Sequence, residues 1–415
     1  MPLASFLQTL GTDARLALRN ITRQRRRSLI GIGAVAFGVI ALLLAAGFIE
    51  WIFWGMREGT IRSRLGHIQI VRQGYLESGA ADPFSYLLPA DSPAQRVSEQ
   101  QPGVQVASPR LSFSGLVSYR DATLSFLGEG MDPEREIELN TSVAMVAGAP
   151  LSPDDPKGII MGWGLANNLG AKVGDTVVLL GSTRTGGINA VEGRIRGLFS
   201  TVTKAYDDAA LRVPLEMAQQ LLRVNGSHTW VLLLKRTELT PRVAYDLQQK
   251  LSAQNLQILP WYELADFYNK TVALFSKQVS VMKLIVAIII VLSIANIMTM
   301  SVLERTGEIG TALAIGVPRT RILRQVVFEG LSLGLVGGAI GVIVGASLAA
   351  LISWIGIPMP PPPGMARGFT GEIMVTGDIA FDAFVLALVT TLVASLYPAW
   401  KASSMVIVDA LRANK

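Results

Sequence analysis

The chain contains no cysteine, which excludes disulfides and thiol chemistry. Histidine is almost as scarce, because His67 and His228 are the only two and lie far apart in the sequence. Neither has a second metal ligand at a suitable spacing, and a zinc site needs several nitrogen or sulfur donors. We therefore expect no metal site in this chain.

Charged residues are also few. They make up 16% of the chain, whereas 50% of the residues are hydrophobic, which is too apolar a balance for a soluble protein. Four stretches approach the roughly 20 apolar residues needed to span hydrocarbon: residues 29–49, 279–300, 326–352 and 379–399. The sequence predicts an integral membrane protein with four transmembrane helices.

Basic residues predict how these helices are oriented, because Lys and Arg near helix ends remain cytoplasmic. They cluster before the first span (Arg15, Arg19, Arg23, Arg25, Arg26 and Arg27), between the second and third (Arg305, Arg319, Arg321 and Arg324) and after the last (Lys401, Arg412 and Lys415). Both termini are therefore predicted to be cytoplasmic. The net charge of +6 fits attraction to anionic headgroups, and nucleic acid is not expected as a partner, since these residues flank membrane spans.

The predicted fold class is an α-helical membrane protein with four transmembrane helices and a large α+β periplasmic domain inserted between helices 1 and 2. The boundaries are a cytoplasmic amphipathic basic helix (1–27), the first span (28–50), the periplasmic domain with its stalk (51–278), the second span (279–302), a cytoplasmic coupling loop (303–325), the third span (326–354), a proline-rich periplasmic loop (355–378), the fourth span (379–399) and a cytoplasmic tail (400–415).

The basic segment before the first span has helical spacing. Arg15, Arg19 and Arg23 recur every four residues on one side, and apolar residues recur on another. Such a helix either lies in the inner membrane interface or is a simple positive-inside anchor. The run Arg25-Arg26-Arg27-Ser28 resembles a twin-arginine export signal, but the apolar stretch is long and three more spans follow, so an uncleaved helix is predicted.

Candidate catalytic groups are weak. The acidic residues Glu134, Glu136 and Glu138, and the pairs Asp154-Asp155 and Asp207-Asp208, are interpreted as solvated loop and strand charges rather than as acid–base catalysts. The glycine-rich stretch 181–187 lacks the Gly-Lys-Ser/Thr ending of a phosphate loop. We expect no catalytic residue and no cofactor in this chain, with any ATP hydrolysed by another chain.

The outer domain shows mixed periodicity. Strand-like runs cover residues 67–71, 111–119, 176–180, 191–199 and 229–234, and helical patterns cover 214–222 and 241–253. Residues 261–277 are predicted to run into the second span as one continuous helix. The turn-rich residues 181–189 are predicted to form the tip of a hairpin.

Glycine is concentrated in the third span. It forms one series at Gly330, Gly334 and Gly338 and another at Gly337, Gly341 and Gly345. In lipid, small residues let helix backbones approach closely, so these series predict packing within the bundle or against a second protomer. Glu329 and Lys283 are expected to reach an interface by snorkelling, and Asn296 to form an interhelical hydrogen bond. Pro358 and residues 360–363 predict an extended polyproline loop.

The most distinctive segment runs from Asn296 to Gly310. Charge returns abruptly after the apolar second span, at Glu304, Arg305 and Glu308, while Ile309, Leu313 and Ile315 maintain an apolar side. The spacing predicts a short amphipathic segment in the cytosol, suited to a membrane protein that pushes on a cytosolic partner.

This segment, followed by Ala314-Ile315-Gly316 and Pro318-Arg319, resembles the signature of permeases of the macrolide-exporter superfamily, which includes lipoprotein-releasing and cell-division permeases. Residues 397–404 and 409–412 resemble the family's C-terminal signature, with Ile407 where a proline is usual. Residues 158–166 and 207–222 of the outer domain are similar to lipoprotein-releasing permeases. The hairpin with which that family recruits a periplasmic carrier would correspond to residues 181–189, where this chain has no proline.

The resemblance implies a mechanism without a conventional pore. Two permeases, identical or related, would bind two separate ATPase subunits that hold ATP and magnesium. The implied ATPase-coupling residues are Glu304, Arg305, Glu308, Ile309, Gly310, Leu313 and Gly316. The implied function is extraction of lipoproteins or lipids from the inner membrane of a bacterium; the alternatives are an exporter working with a periplasmic adaptor and a transmitter that regulates a cell-wall hydrolase.

Overall fold

The computed structural model describes residues 25–79, 81–141, 143–201, 204–360 and 369–412. Within them the helices are α1 Arg25–Thr60, α2 Tyr75–Ser78, α3 Pro93–Glu99, α4 Pro133–Leu139, α5 Trp163–Leu169, α6 Lys204–Asp207, α7 Leu215–Leu222, α8 Thr240–Leu251, α9 Trp261–Leu264, α10 Asp266–Glu304, α11 Thr306–Ala314, α12 Arg319–Ile355, α13 Gly377–Ser403 and α14 Ile407–Arg412. The π-helix Ile61–Leu65 and the 3-10 helices Pro83–Tyr86, Thr237–Leu239 and Ser252–Gln254 complete the helical elements.

The strands in the same residues are β1 Ile68–Arg72, β2 Val104–Tyr119, β3 Ala122–Met131, β4 Ala144–Gly148, β5 Gly158–Gly162, β6 Thr176–Ser182, β7 Ile188–Ser200, β8 Ala210–Pro214, β9 Thr229–Leu234, β10 Leu256–Pro260, β11 Ile357–Met359 and β12 Phe369–Gly371. The chain divides into two compact units. One, here the helical unit, comprises Met1–Phe53, Val272–Pro358 and Thr370–Lys415; the other, the sheet unit, comprises Trp54–Thr271 and Met359–Phe369.

Four helices of the described residues are long and apolar enough to cross a membrane: Arg26–Leu65, Asp266–Glu304, Arg319–Ile355 and Gly377–Ser403. Each contains one of the four stretches predicted from the sequence. The core of the helical unit holds several alanines, among them Ala383, Ala387 and Ala394, beside aliphatic residues of α1, α10 and α12. Small side chains at these positions let the helix axes lie close together.

The sheet unit is built on a ten-stranded mixed sheet in the order β10-β1-β9-β2-β3-β8-β5-β7-β4, with β6 pairing both β2 and β7. The pairs β3–β8 and β5–β7 are parallel, and the other pairs are antiparallel. The 16-residue strand β2 pairs β9 through its first half, β3 from Arg110 onward and β6 from Gly115 to Ser118. One long strand therefore joins two parts of the sheet.

Amphipathic helices cover the two parts of this sheet. Helix α7 buries Met217, Ala218, Leu221 and Leu222, whose helical spacing directs them into one core. Helix α8 does the same with Val243, Ala244, Leu247 and Leu251 in a second core. Because each helix has a single apolar stripe, one face packs on the sheet and the other faces solvent.

Four of the five predicted strands lie in the observed ones, with the bounds of 229–234 matched by β9. The run 67–71 began one residue early, because His67 precedes β1. The hairpin tip at 181–189 lies where β6 turns into β7, and Thr183 Oγ1 accepts a hydrogen bond from Gly187 N–H at 3.2 Å. The continuous helix predicted for 261–277 was wrong at its start, because α9 ends at Leu264 and α10 begins at Asp266. Ala265 lies between the two helices with non-helical backbone angles.

The interpretation of the acidic residues as solvated was wrong for two of them. Glu136 lies on α4, which begins with Pro133 after the Asp132 cap, and its carboxylate is buried. Asp207 is buried too, where its carboxylate accepts hydrogen bonds from Ser200 Oγ at 2.9 Å and Thr201 Oγ1 at 2.7 Å. Both are structural groups of the sheet unit. Pro361, Pro362 and Pro363 of the predicted polyproline loop lie outside the described residues.

Candidate coupling site

The segment between the second and third long helices is a helix–break–helix. Helix α10 ends at Glu304, Arg305 leaves helical geometry, and α11 runs from Thr306 to Ala314. Gly316 then adopts a φ of +92°, and its N–H donates to Leu313 O at 3.1 Å while Val317 N–H donates to Ala312 O at 3.1 Å. This is a Schellman ending, in which glycine satisfies the last carbonyls of a helix at little steric cost. Gly316 therefore fixes the turn into α12.

Arg305 connects the pieces of this segment. Its Nη1 donates to Glu329 Oε2 at 3.2 Å, and its Nε lies 3.4 Å from Glu308 Oε2. Glu329 is buried on α12, so the prediction that it snorkels to an interface was wrong. A buried ion pair is costly to break because either partner alone is left uncompensated. Arg305 therefore holds the break between α10 and α11 against α12.

Two further contacts anchor the same segment. Glu304 pairs with Arg27 of α1. Gly310 lies against Ala410 of α14, and a Cβ added to Gly310 would be 2.7 Å from the Ala410 Cβ. Leu313 is buried and Ile309 is half-buried in the core of the helical unit. These contacts direct Gly310, Leu313 and much of Arg305 inward, within the chain.

The outward side of the segment is formed by Glu304, Glu308, Thr311 and Ile315, here called the coupling ridge. Glu308 and Thr311 lie one turn apart on α11, whereas Glu304 ends α10 before the break and Ile315 follows the last residue of α11. Ile315 has 79% of its surface exposed, an unusual position for a β-branched apolar residue. Thr311 and Ile315 were absent from the coupling residues predicted from the sequence, although the three-residue step from Glu308 could have identified Thr311.

The glycines of the third long helix lie on two faces. A Cβ added to Gly330 would be 2.6 Å from the Ser395 Cβ, and Gly334 and Gly338 also lie against α13. On the other face, a Cβ at Gly341 would be 2.7 Å from the Val39 Cβ, and Gly337 and Gly345 also contact α1. Both series therefore pack against helices of the same chain.

The predicted membrane-surface arginines fall into three groups. Arg15, Arg19 and Arg23 lie outside the described residues, and the Arg25 side chain is likewise not described. Arg26 is exposed, as a headgroup contact requires. Arg27 instead pairs with Glu304, so it contributes to the coupling segment. Asn296 is exposed on α10.

The histidines have structural partners in the sheet unit. Within the described residues no group of three or more His, Asp or Glu side chains could hold a metal ion. His67 Nδ1 accepts from Leu234 N–H at 3.0 Å, which places the proton on Nε2, 3.0 Å from Thr237 Oγ1; that hydroxyl donates to Glu58 Oε1 at 3.0 Å. Burial lowers the pKa of His67 to about 4, against the smaller opposing effect of Glu58. His67 is therefore neutral at physiological pH.

Comparisons with known proteins agree with this architecture. Residues 28–250 match the MacB-like periplasmic core domain, and residues 280–407 match the FtsX-like permease C-terminal family. Together with the four long apolar helices, these matches confirm the predicted fold class, with the α+β periplasmic domain inserted after the first helix.

Individual relatives differ in how much they share. The chain is similar to the macrolide export ATP-binding/permease protein MacB of Sodalis glossinidius, with 25% identity over 98% of this chain and 61% of that protein. It is 39% identical to MacB of Brucella abortus (strain 2308), but over only 34% of this chain and 20% of that protein. The lipoprotein-releasing system transmembrane protein LolC of Neisseria meningitidis is 21% identical over 96% of this chain and 99% of LolC.

The chain thus spans less than two thirds of these MacB relatives. Among solved structures, the periplasmic region of MacB from Actinobacillus actinomycetemcomitans is similar, with a TM-score of 0.36, 13% identity, and coverage of 52% of this chain and 94% of that one.

Proposed function

Because the chain belongs to the family of permeases that carry a MacB-like periplasmic core domain, here joined to an FtsX-like permease region, we propose that it transmits the ATP-driven motion of partner ATPase subunits to its periplasmic domain. The transmitted motion extracts or releases lipoproteins or lipids from the bacterial inner membrane. ATP and magnesium bind the partner ATPase, and both termini of this chain lie in the cytoplasm. A second permease, identical or related, completes the transporter.

The coupling ridge is the observation that carries this proposal. Its four residues are exposed, and one of them, Glu304, also pairs with Arg27 of α1. Behind them, Arg305 contacts α12 and Gly310 contacts α14. A surface can transmit force only if its support does not yield, and the pair between Arg305 and the buried Glu329, with the close packing at Gly310, provides such a support. The ridge is therefore suited to receive a displacement and pass it to the long helices.

The lipoprotein or lipid cargo is supported by a relative that matches along nearly its full length. LolC of Neisseria meningitidis aligns with nearly the full length of both chains, whereas the MacB alignments cover a smaller share of those proteins. A periplasmic carrier is a further partner under this proposal.

The alternative, an exporter permease that works with a periplasmic adaptor, is favoured by the MacB-like match of the periplasmic domain. The FtsX-like match of the C-terminal region favours the other alternative, regulation of a cell-wall hydrolase.

The ridge can be tested with Ile315→Asp and Glu308→Lys in the full-length chain. The chain is purified in mild detergent with its copurifying ATPase, and ATP hydrolysis is measured after reconstitution. We expect each variant to lose at least tenfold of the bound ATPase or of its stimulation, because loss of a hot-spot residue at an interface costs about 2 kcal/mol or more. Mass spectrometry of the copurified material then separates the lipid, adaptor and hydrolase alternatives.

The matched control is Glu263→Lys, a charge reversal at an exposed position of α9 in the sheet unit. It should insert, copurify and stimulate like the unchanged chain. Wild-type ATPase binding and stimulation by both Ile315→Asp and Glu308→Lys would refute the coupling role of the ridge.

A further inference from the structure

A cavity of about 270 Å³ lies in the helical unit among α1, α10 and α13. Its polar lining includes Glu50, Lys283 and Asp382, and Leu42 and Ala46 are among its apolar residues. Leu42 precedes Glu50 by two turns of α1, so the apolar lining extends about 12 Å along the helix from the carboxylate. The cavity is therefore amphipathic along α1.

The charges in this cavity do not balance. Lys283 Nζ donates to Asp382 Oδ2 at 3.0 Å, so these two groups neutralise each other. Glu50 contributes a second carboxylate, and among the described residues it forms no ion pair. One ammonium against two carboxylates leaves one excess negative charge. A carboxylate beside apolar side chains at the edge of a membrane span is costly unless a cation compensates it.

A metal ion is a poor match for that missing cation. Calcium requires six to eight oxygen ligands, and magnesium requires octahedral geometry. Here one of the two carboxylates is already paired with Lys283, and within the described ranges no three acidic or histidine side chains are grouped for a metal. An organic ammonium needs only one or two acceptors and can bring an apolar chain with it.

We propose that this cavity binds the headgroup of an aminophospholipid, with the primary ammonium on Glu50 and the phosphate near Lys283. The excess negative charge favours a zwitterionic headgroup over an anionic one. The volume is below the roughly 300–1,000 Å³ of pockets that enclose whole small molecules, so it suits a headgroup whose acyl chains remain in the bilayer. This proposal rests on the proposed function, since it names the lipid class that the permease would engage in the outer leaflet.

The proposal is tested by binding of dihexanoyl phosphatidylethanolamine to the full-length chain in detergent, without an ATPase. Dihexanoyl phosphatidylglycerol, which has the same chains and no ammonium, is the matched probe. Affinity is measured by displacement of a tail-labelled phosphatidylethanolamine. We expect the unchanged chain to prefer phosphatidylethanolamine at least tenfold and Glu50→Gln to abolish that preference at an unchanged melting temperature. Glu50→Asp should retain the preference.

A second variant keeps the test decisive if Glu50→Gln fails to fold. Lys283→Met leaves two carboxylates uncompensated in the cavity, so the preference for phosphatidylethanolamine over phosphatidylglycerol should increase. No preference in the unchanged chain, an unchanged preference in Glu50→Gln, or a decreased preference in Lys283→Met would overturn the proposal. Because the titration contains no ATPase, its failure would not affect the coupling result, and a failed coupling experiment would not affect the titration.

Discussion

Where the long helices of the helical unit meet, the contacts are made by Gly334 and Gly341; in the core of the sheet unit, Trp230, Phe126 and Phe199 are almost completely buried. Water drives large apolar side chains together, and the free energy gained grows with the apolar area buried. Lipid offers no comparable drive, since its tails are as apolar as leucine, so helices associate through close backbone contact. The sheet unit is therefore packed with large apolar side chains, whereas the long helices of the helical unit approach each other through glycine.

The two units also differ in their buried ion pairs. In the sheet unit, Arg110 forms a bidentate pair with Glu136 at 2.7 Å, and Arg212 Nη2 donates to Ser63 O at 2.8 Å. Although burial alone would lower it, Glu136 raises the pKa of Arg110. In the helical unit, the pair between Arg305 and Glu329 lies at the helix break. The ion cluster at the end of the π-helix in the sheet unit thus contrasts with the pair at the helix break in the helical unit.

The largest expected effect comes from placing large side chains at the glycine contacts between the long helices. In the double variant Gly334→Leu, Gly341→Leu, the new side chains collide with Thr391 and Val39. Overpacking a core typically costs about 1–3 kcal/mol per site, so the two helix contacts together should cost up to roughly 6 kcal/mol. We expect the monodisperse fraction on size exclusion in detergent to collapse.

Gly33→Leu is the matched control, because nothing lies within 4 Å of a Cβ added there. It should purify and melt like the unchanged chain. A double variant that melts with the control would show that the small residues are not what the helical packing depends on.

The next effect removes one partner of the buried pair in the sheet unit. Arg110→Met leaves the Glu136 carboxylate buried and uncompensated, which should destabilise the unit by about 3–5 kcal/mol. Adding Glu136→Met should recover part of that loss, because the stranded charge is then gone. Amide exchange along β2 and β3 reports the change.

Arg236→Met provides the comparison for a surface pair, since Arg236 and Glu238 are both largely exposed. Its expected cost is within about 1 kcal/mol. Equal costs for Arg110→Met and Arg236→Met would show that burial does not determine what an ion pair contributes to the stability of the sheet unit.

The smallest of the three effects depends on pH. Unfolded histidine takes up a proton near pH 6.5, whereas His67 in the folded unit does so only near pH 4. The unfolded state therefore binds more protons between these values, and stability falls as the pH is lowered through this window, by about 3 kcal/mol at most. The protection factor of the Leu234 amide, whose N–H donates to His67 Nδ1, should fall below pH 6.

His67→Gln should flatten this pH dependence, whereas His228→Gln should leave the response at Leu234 in place. Burial also lowers the pKa of His228, so that variant removes only its own share of the global effect. A Leu234 exchange rate in the unchanged chain that follows hydroxide catalysis alone down to pH 4 would contradict the prediction.

The sequence carried enough information for much of the fold. Long apolar runs need no tertiary context, so the four long helices could be predicted. The four-residue steps that begin at Gly330 and at Gly337 also predicted two glycine faces on the third long helix, although not which helices they contact. The apolar run in residues 229–234 predicted β9, because a strand buried on both faces has a continuous apolar run.

Long-range pairings could not be predicted. Arg110 and Glu136 are separated by a hairpin, and a single sequence does not show which of many charges will meet. Gly310 and Ala410 approach because α14 folds back on α11, a contact that neither segment signals alone. Ile315 was not predicted to be exposed, because an apolar residue at helical spacing is ordinarily expected to be buried.

The position of β1 in the sheet has a consequence for how the chain is made. Strand β1 lies between β9 and β10 in the sheet. These two neighbours begin only at Thr229 and Leu256, so they are synthesised long after β1. Until then both of its edges are unpaired, and such edges readily join other chains. Closing so long a loop is slow because the entropy is lost before the contacts form. A nascent chain crossing the membrane must therefore keep this strand apart from others until nearly the whole sheet unit has followed it.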